Sequence, residues 1–170
     1  MSKLSLTQNQ YSDFLNLTNN VFYPLKNFVT QNEFELIVNK SQYKNKFYPF
    51  PIFFGVNKNN FNKIMYYNKI DFYYKKKIIA KVTKPIFFDI NKKKFGKKIY
   101  GKNYTLHPFF KKFESENFKF LSFKILKLYK LKIEKKIFIS PKDFLNSIDR
   151  NKIKRISAFH TRNVPHNAHQ

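Results

Sequence analysis

The chain has 170 residues, with 34 lysines and arginines against 10 aspartates and glutamates, a formal net charge of +24, and no cysteine. That length suits one ordinary domain, or a small domain joined to the beginning of a second, and it is enough to bury a real core. The missing cysteine excludes a disulfide framework, a thiolate nucleophile and a cysteine metal site, and no run approaches the roughly 20 apolar residues that a membrane-spanning helix needs.

Charge of this size ordinarily suggests nucleic acid or an anionic membrane surface as the partner. Here the lysine excess travels with abundant Asn, Ile, Phe and Tyr, with 3 glycines and no tryptophan. The enriched residues share A- and T-rich codons, so genome composition accounts for much of the basic character. Arginine, which recognises bases through bidentate contacts, is nearly missing. Lys75-Lys76-Lys77 and Lys92-Lys93-Lys94 therefore read as solvated turns, and neither nucleic acid nor membrane is the expected partner. The 22 phenylalanines and 11 tyrosines read as core packing rather than base-stacking platforms. The N-terminus lacks a continuous apolar stretch, so no signal peptide is expected and the expected location is cytoplasmic.

In chain order, the pattern from Ser5 to Asn20 predicts a helix opened by Leu6 or Thr7, with Tyr11, Phe14, Leu15 and Leu17 on its apolar face. Residues 21–28 read as a packed loop interrupted by Pro24. Thr30 and Glu33 form a capping box that starts a second helix, with Phe34, Ile37 and Val38 buried, running to about Lys40. From Phe47 the period changes. An extended aromatic tract with Pro49 and Pro51 leads into strand-like runs at Lys63 to Tyr67, Ile70 to Tyr74, Ile78 to Val82 and Ile86 to Ile90, with turns at Asn68-Lys69, Lys75–Lys77 and Lys92–Lys94. Gly101 to Pro108 reads as a loop, with His107 a structural residue in it, and Phe118 to Ile133 as one or two more strands. Short strands at close spacing suggest a compact barrel or sandwich.

Ser140-Pro141-Lys142-Asp143 is a strong helix start: a capping serine, a proline at the first helical position and an acid in the first turn. Ile153 to Phe159 then reads as a strand. A helix, a strand and a polar turn into a new helix open an α/β unit, which places a domain boundary near residue 135.

Residues 156–170 hold three of the four histidines and one of the three arginines. Arg162 and Asn163 fall on the turn, and His166 and His169 share a face of the helix that Pro165 begins. A helix N-terminus offers free backbone donors to a tetrahedral anion. Arg162 adds a forked donor whose charge-assisted contacts are worth about 1.5 to 3 kcal/mol each. The pattern describes an anion-handling site. A zinc site from His160, His166 and His169 is disfavoured, because an i, i+3 pair lacks the usual spacing and an acidic partner, so no metal ligand is expected among them.

The stretch Phe159-His160-Thr161-Arg162-Asn163-Val164-Pro165-His166-Asn167-Ala168-His169 resembles the signature Q-(T/L)-R-N-P-x-H-x-x-H of the sulfate adenylyltransferase, or ATP sulfurylase, family. Upstream, Phe22-Tyr23-Pro24-Leu25-Lys26-Asn27-Phe28 is similar to that family's F-S-P-L-x-G-F segment, Phe50-Pro51-Ile52 to its P-I-P-I strand, and His107-Pro108 to its H-P dipeptide. The resemblance implies an α+β chain: a PUA-like β-barrel with flanking N-terminal helices over residues 1–135, followed over residues 136–170 by the first strand-turn-helix of an HxGH-type α/β nucleotidyltransferase domain.

It further implies a reaction of ATP, with Mg²⁺, and sulfate to give adenylylsulfate and pyrophosphate. Catalysis of that kind rests on positioning and on stabilising phosphate charge. By the same resemblance Arg162 holds sulfate with His160 beside it, Asn163, His166 and His169 meet the ATP phosphates, and Thr161 and Asn167 are lesser neighbours. His160 stands where the family has a sulfate-contacting glutamine, and Val164 where it has proline. The parts that would hold adenine and ribose are not in these residues, so the chain alone is expected to be inactive. A homo-oligomer is a possible assembly. The alternative readings are a PUA-like RNA-binding module, suggested by the net charge, and an inactive remnant.

Overall fold

The structure, a computed structural model, describes residues 2–129, 140–148, 152–153 and 155–157. Among these the architecture is α+β. Five strands form one sheet in the order β1 (Ser2–Ser5), β5 (Lys69–Tyr74), β6 (Lys77–Phe88), β7 (Lys119–Leu128) and β4 (Gly55–Val56), a two-stranded hairpin forms a separate sheet, and there are six α-helices. The expected domain boundary near residue 135 lies outside the described residues.

Strand β1 (Ser2–Ser5) opens the chain and runs parallel to β5 (Lys69–Tyr74), pairing Leu4 with Phe72. It was not expected from sequence, where these four residues carry one buried side chain, Leu4, too little alternation to signal a strand. Helix α1 (Gln8–Thr18) follows, with Thr7 and Gln10 forming a capping box and Phe14 and Leu17 buried. Residues 19–28 are a packed loop with a cis Tyr23–Pro24 bond. Helix α2 (Gln31–Lys40) starts at the expected box: the Thr30 N–H donates to Glu33 Oε2 at 2.8 Å while the Glu33 N–H donates to Thr30 Oγ1 at 3.4 Å. Strands β2 (Gln42–Tyr43) and β3 (Lys46–Phe47) make the separate hairpin, and β4 (Gly55–Val56) is an edge of the main sheet beside β7 (Lys119–Leu128).

Three readings of the middle of the chain are corrected. The run Lys63 to Tyr67 is not a strand: it overlaps helix α3 (Lys58–Ile64), which Asn57 caps by accepting from the Asn60 N–H at 2.8 Å. Phe61 and Ile64, three apart, turn toward the core while Lys63 and Tyr66 face solvent, a helical period rather than an alternating one. The runs at Ile78 and Ile86 are one strand, β6 (Lys77–Phe88). Pro85 lacks the N–H a ladder needs, and a bulge absorbs it: Lys84 takes φ 51° and the register on β7 shifts between Thr83 and Ile86. Lys92–Lys94 is no turn either. Asn91 accepts from the Lys94 N–H at 2.9 Å and starts helix α4 (Lys92–Tyr100). Helix α5 (Pro108–Glu116), preceded by a 3-10 turn at Tyr104–Leu106, was also unforeseen.

The hairpin of β5 and β6 turns on Lys75 and Lys76, at φ 45° and 63°, and that of β2 and β3 on Lys44 and Asn45, at 50° and 60°. Two positive φ values in a two-residue connection are the geometry whose twist suits a hairpin. Bulges in β5 to β6 and in β6 to β7 curl the sheet into half a barrel.

The concave side is filled by phenylalanine. Phe54 stacks on Phe72 at 5.3 Å and both meet Phe123 edge to face, while Phe34, Phe53, Phe95, Phe113 and Phe120 form a second cluster under α2, α4 and α5. Burying each ring is worth about 1.5–3 kcal/mol, and each favourable ring pair adds about 0.5–1.5 kcal/mol. The aromatic excess is core, as composition suggested.

Helix α6 (Pro141–Ser147) begins where expected: Ser140 Oγ accepts from the Asp143 N–H at 3.1 Å and donates to its carboxylate at 2.7 Å. It buries no residue. The strand expected from Ile153 is not formed in its described residues, since Ile153 and residues 155–157 lie in no sheet. A strand requires a hydrogen-bonded neighbour, and no described segment offers one here. No helix among the described residues is long and apolar enough to cross a membrane.

Candidate functional site

The predicted anion site, His160, Thr161, Arg162, Asn163, His166, Asn167 and His169, lies outside the described residues. The structure does show the other segments that carried the resemblance, and it brings two of them together. In residues 22–28 the Leu25 N–H donates to the Phe22 carbonyl at 2.9 Å, and Leu25 and Phe28 are buried. The Tyr48 hydroxyl donates to that same Phe22 carbonyl at 3.1 Å, and the Val29 N–H donates to the Ile52 carbonyl at 3.0 Å. The proline-containing loop and the Phe50-Pro51-Ile52 segment are thus laced side by side. Burial pushes the Tyr48 hydroxyl above its ordinary value. The neighbouring Tyr43 is raised by burial first and then by the charge of Glu33, whose Oε1 accepts its hydroxyl proton at 3.3 Å.

His107 caps α5 through backbone position alone, without a side-chain cap bond. Its ring lies 4.3 Å from that of Tyr100 at 31°, and its Nδ1 is buried without a hydrogen-bond partner among the described residues. Burial raises the Tyr100 hydroxyl. Leu106 and Phe109 on either side are each 71% exposed. His107 therefore has a packing role in a turn, which agrees with its reading as a structural residue. Among the described residues no three His, Asp or Glu side chains gather closely enough to hold a metal ion.

The sequence model of the PUA-like domain family matches residues 1–125. The chain belongs to that family. The PUA-like domain accounts for the curled sheet, the two N-terminal helices and the aromatic core. Across its whole length the chain is also similar to the sulfate adenylyltransferase of Persephonella marina (strain DSM 14350 / EX-H1): 26% identity over 176 aligned residues, covering 100% of this chain and 46% of that enzyme. The chain spans about half the length of this relative. Both matches fit the N-terminal part of an ATP sulfurylase.

One further feature of the PUA-like domain was missed in sequence. Between α2 and the start of α4 lies a cleft of about 180 Å³ whose floor is Phe34, Val38, Ile90 and Phe95 and whose rim is Glu35, Asn39, Asn91 and Lys94. It opens onto a shallower basin of about 630 Å³, bordered by the same two asparagines and by Lys93, Lys94, Lys97 and Lys98. None of these four lysines has an acidic partner among the described residues. Lys92 is different, since its Nζ donates to the carbonyls of Glu114 at 3.1 Å and Asn117 at 2.6 Å. The signal that could have revealed the feature was Asn91 as a cap with Phe95 and Ile99 four apart behind it.

Proposed function

We propose that this chain supplies the PUA-like domain and the first anion-binding turn of a sulfate adenylyltransferase, which joins ATP and sulfate into adenylylsulfate and pyrophosphate. The observation that carries this reading is the match of the whole chain to the enzyme of P. marina. It extends past the PUA-like match at residue 125 to include the Arg162-Asn163 and His166, His169 stretch. In the proposed reaction a sulfate oxygen attacks the α-phosphorus of Mg²⁺-bound ATP, a new P–O bond forms, and the bond to the β-phosphate oxygen breaks with pyrophosphate leaving. Arg162, with His160 beside it, holds sulfate by charge-assisted hydrogen bonds. Asn163, His166 and His169 meet the phosphates and stabilise the charge that grows on the leaving pyrophosphate. Thr161 and Asn167 flank them. In this reading the groups that hold adenine and ribose come from the part of the enzyme's length that the match does not cover, the chain aligning with 46% of the relative, and turnover is expected when that part is supplied.

The test begins with the DNA that follows the codon for Gln170. If it encodes the matching second half, in frame or as a separate chain, the combined protein releases pyrophosphate from ATP only when sulfate is present. Arg162→Ala lowers that sulfate-dependent rate by about a hundredfold or more, the usual scale for removing one donor to reacting oxygens. Undiminished turnover in the variant would reject the assignment of Arg162. Adenylylsulfate formed by the 170-residue chain alone would reject the need for a second half.

A further inference from the structure

We propose that an exposed ridge of the PUA-like domain, running from Phe50 through Tyr100 and His107 to Leu106 and Phe109, is the surface on which the remainder of a sulfate adenylyltransferase docks. The identity of the partner rests on the reading above, but no residue of the terminal motif enters the surface itself.

The ridge is a continuous run of ring contacts. Phe50 lies 6.4 Å from Phe95, Phe95 6.2 Å from Tyr100, Tyr100 4.3 Å from His107, and His107 5.8 Å from Phe109. Phe95 is buried beneath the run, whereas Phe50, Leu106 and Phe109 are exposed. Two of the segments similar to the ATP sulfurylase family, Phe50-Pro51-Ile52 and His107-Pro108, therefore belong to one surface although they are far apart in the chain.

A single exposed apolar side chain needs no explanation. These differ in the stiffness of their support. Tyr104 and Phe110 are buried, meet edge to face at 4.7 Å, and close over Gly96 with no room for a Cβ. The His107 N–H donates to the Tyr104 carbonyl and the Phe110 N–H to the His107 carbonyl, each at 3.0 Å, while Pro108 occupies the first helical position of α5 with its torsion already set. Leu106 and Phe109 are thus held toward solvent by a turn whose alternate residues are locked into the core. Apolar anchors fixed in this way lose little freedom when a partner covers them, and aromatic side chains are enriched at interfaces.

Length and charge select the occupant. The chain covers 46% of the P. marina enzyme, so more than half of such an enzyme lies outside these residues, enough to bury an interface of ordinary size. A second copy of the chain fits worse. Each copy carries a formal charge of +24, and like charges set against each other across an interface are costly. Lys102 and Lys111, exposed next to the ridge in sequence, have no acidic partner among the described residues. They suit a partner face that is apolar at its centre and carries carboxylates at its rim. RNA fits worse as well, since the ridge is aliphatic at Leu106 and has no arginine for base recognition.

The chain has no cysteine, so Phe109→Cys gives it one thiol, whose alkylation, read by mass spectrometry on the peptide that carries it, reports whether the ridge is covered. In the 170-residue chain alone that thiol reacts as an exposed one. In the combined protein, with the second half supplied in frame or as a separate chain, it reacts about tenfold or more slowly, because thiol chemistry follows access. Tyr66→Cys, at an exposed position that makes none of these ring contacts, reacts equally in both. Leu106→Glu with Phe109→Glu leaves the Tm of the 170-residue chain in place and lowers that of the combined protein by a few degrees. The proposal is overturned by equal alkylation of Phe109→Cys in the two forms. It is also overturned by protection that grows with concentration in the 170-residue chain alone, which makes the occupant a second copy, or by protection when an RNA oligomer is added to that chain. The surface and the reaction fail separately. A combined protein that releases pyrophosphate with sulfate while Phe109→Cys stays reactive rejects the surface alone, and one that protects the thiol but ignores sulfate rejects the reaction alone. Lack of any encoded second half rejects both.

Discussion

Asp13, half-buried on α1, has no ion-pair partner among the described residues, and burial holds its carboxyl above the usual carboxylate range. A carboxyl that keeps its proton more tightly when folded stabilises the fold at low pH and loses that contribution as the pH rises through its folded value. Asp13→Asn removes the cost of the buried charge. Its Tm should exceed that of the parent by about 1–2 °C at neutral pH, where 1 kcal/mol moves a chain of this size by a few degrees. The gap should close on acidification below the ordinary carboxylate range. Gly96 makes the opposite point. A Cβ there would lie 2.3 Å from Tyr104 Cδ2 and 2.6 Å from Phe110 Cε2, and both rings are buried. Gly96→Ala should cost about 1–3 kcal/mol through overpacking, read as a lower urea midpoint. Neither effect was legible in sequence. A helical aspartate and a helical glycine look ordinary until the neighbours on other elements are known.

At the scale of elements, the caps of α1, α2 and α6 and the runs that became β5, β6 and β7 were legible, whereas β1, the Asn57 and Asn91 caps and the pairing of the sheet were not. Thr30 with Glu33 and Ser140 with Asp143 make their bonds within four residues, so the signal and the structure coincide in the chain. Strand β1 forms only because β5 lies beside it, and β6 runs through Pro85 only because a bulge against β7 absorbs it. The hairpins show a different compromise. With 3 glycines in the whole chain, lysine and asparagine occupy left-handed positions that glycine would take without strain. Replacing Lys75-Lys76 by Asn-Gly should therefore raise stability by about 1 kcal/mol or more, since each non-glycine residue held at such an angle costs on that order. A denaturant midpoint unchanged or lowered by the exchange would contradict the turn geometry.

For the whole molecule, length, charge and missing cysteine bounded the class, and local capping signals placed α1, α2 and α6. The order of residues 160–169 suggested the chemistry, since a motif is a property of adjacent residues and needs no fold to be read. The membership of residues 1–125 in the PUA-like domain family bears out the PUA-like part of the fold that the resemblance implied; the roles of Arg162, Asn163, His166 and His169 await the turnover experiment. The tertiary structure alone decided which strands are neighbours, which lysines are turns and which are helix, and that Phe34 and Phe95 should floor one cleft beneath Lys94. Those facts depend on contacts between residues far apart in the chain, made by burying 27 apolar side chains of the described residues at once. The free energy of that burial belongs to no local window of sequence.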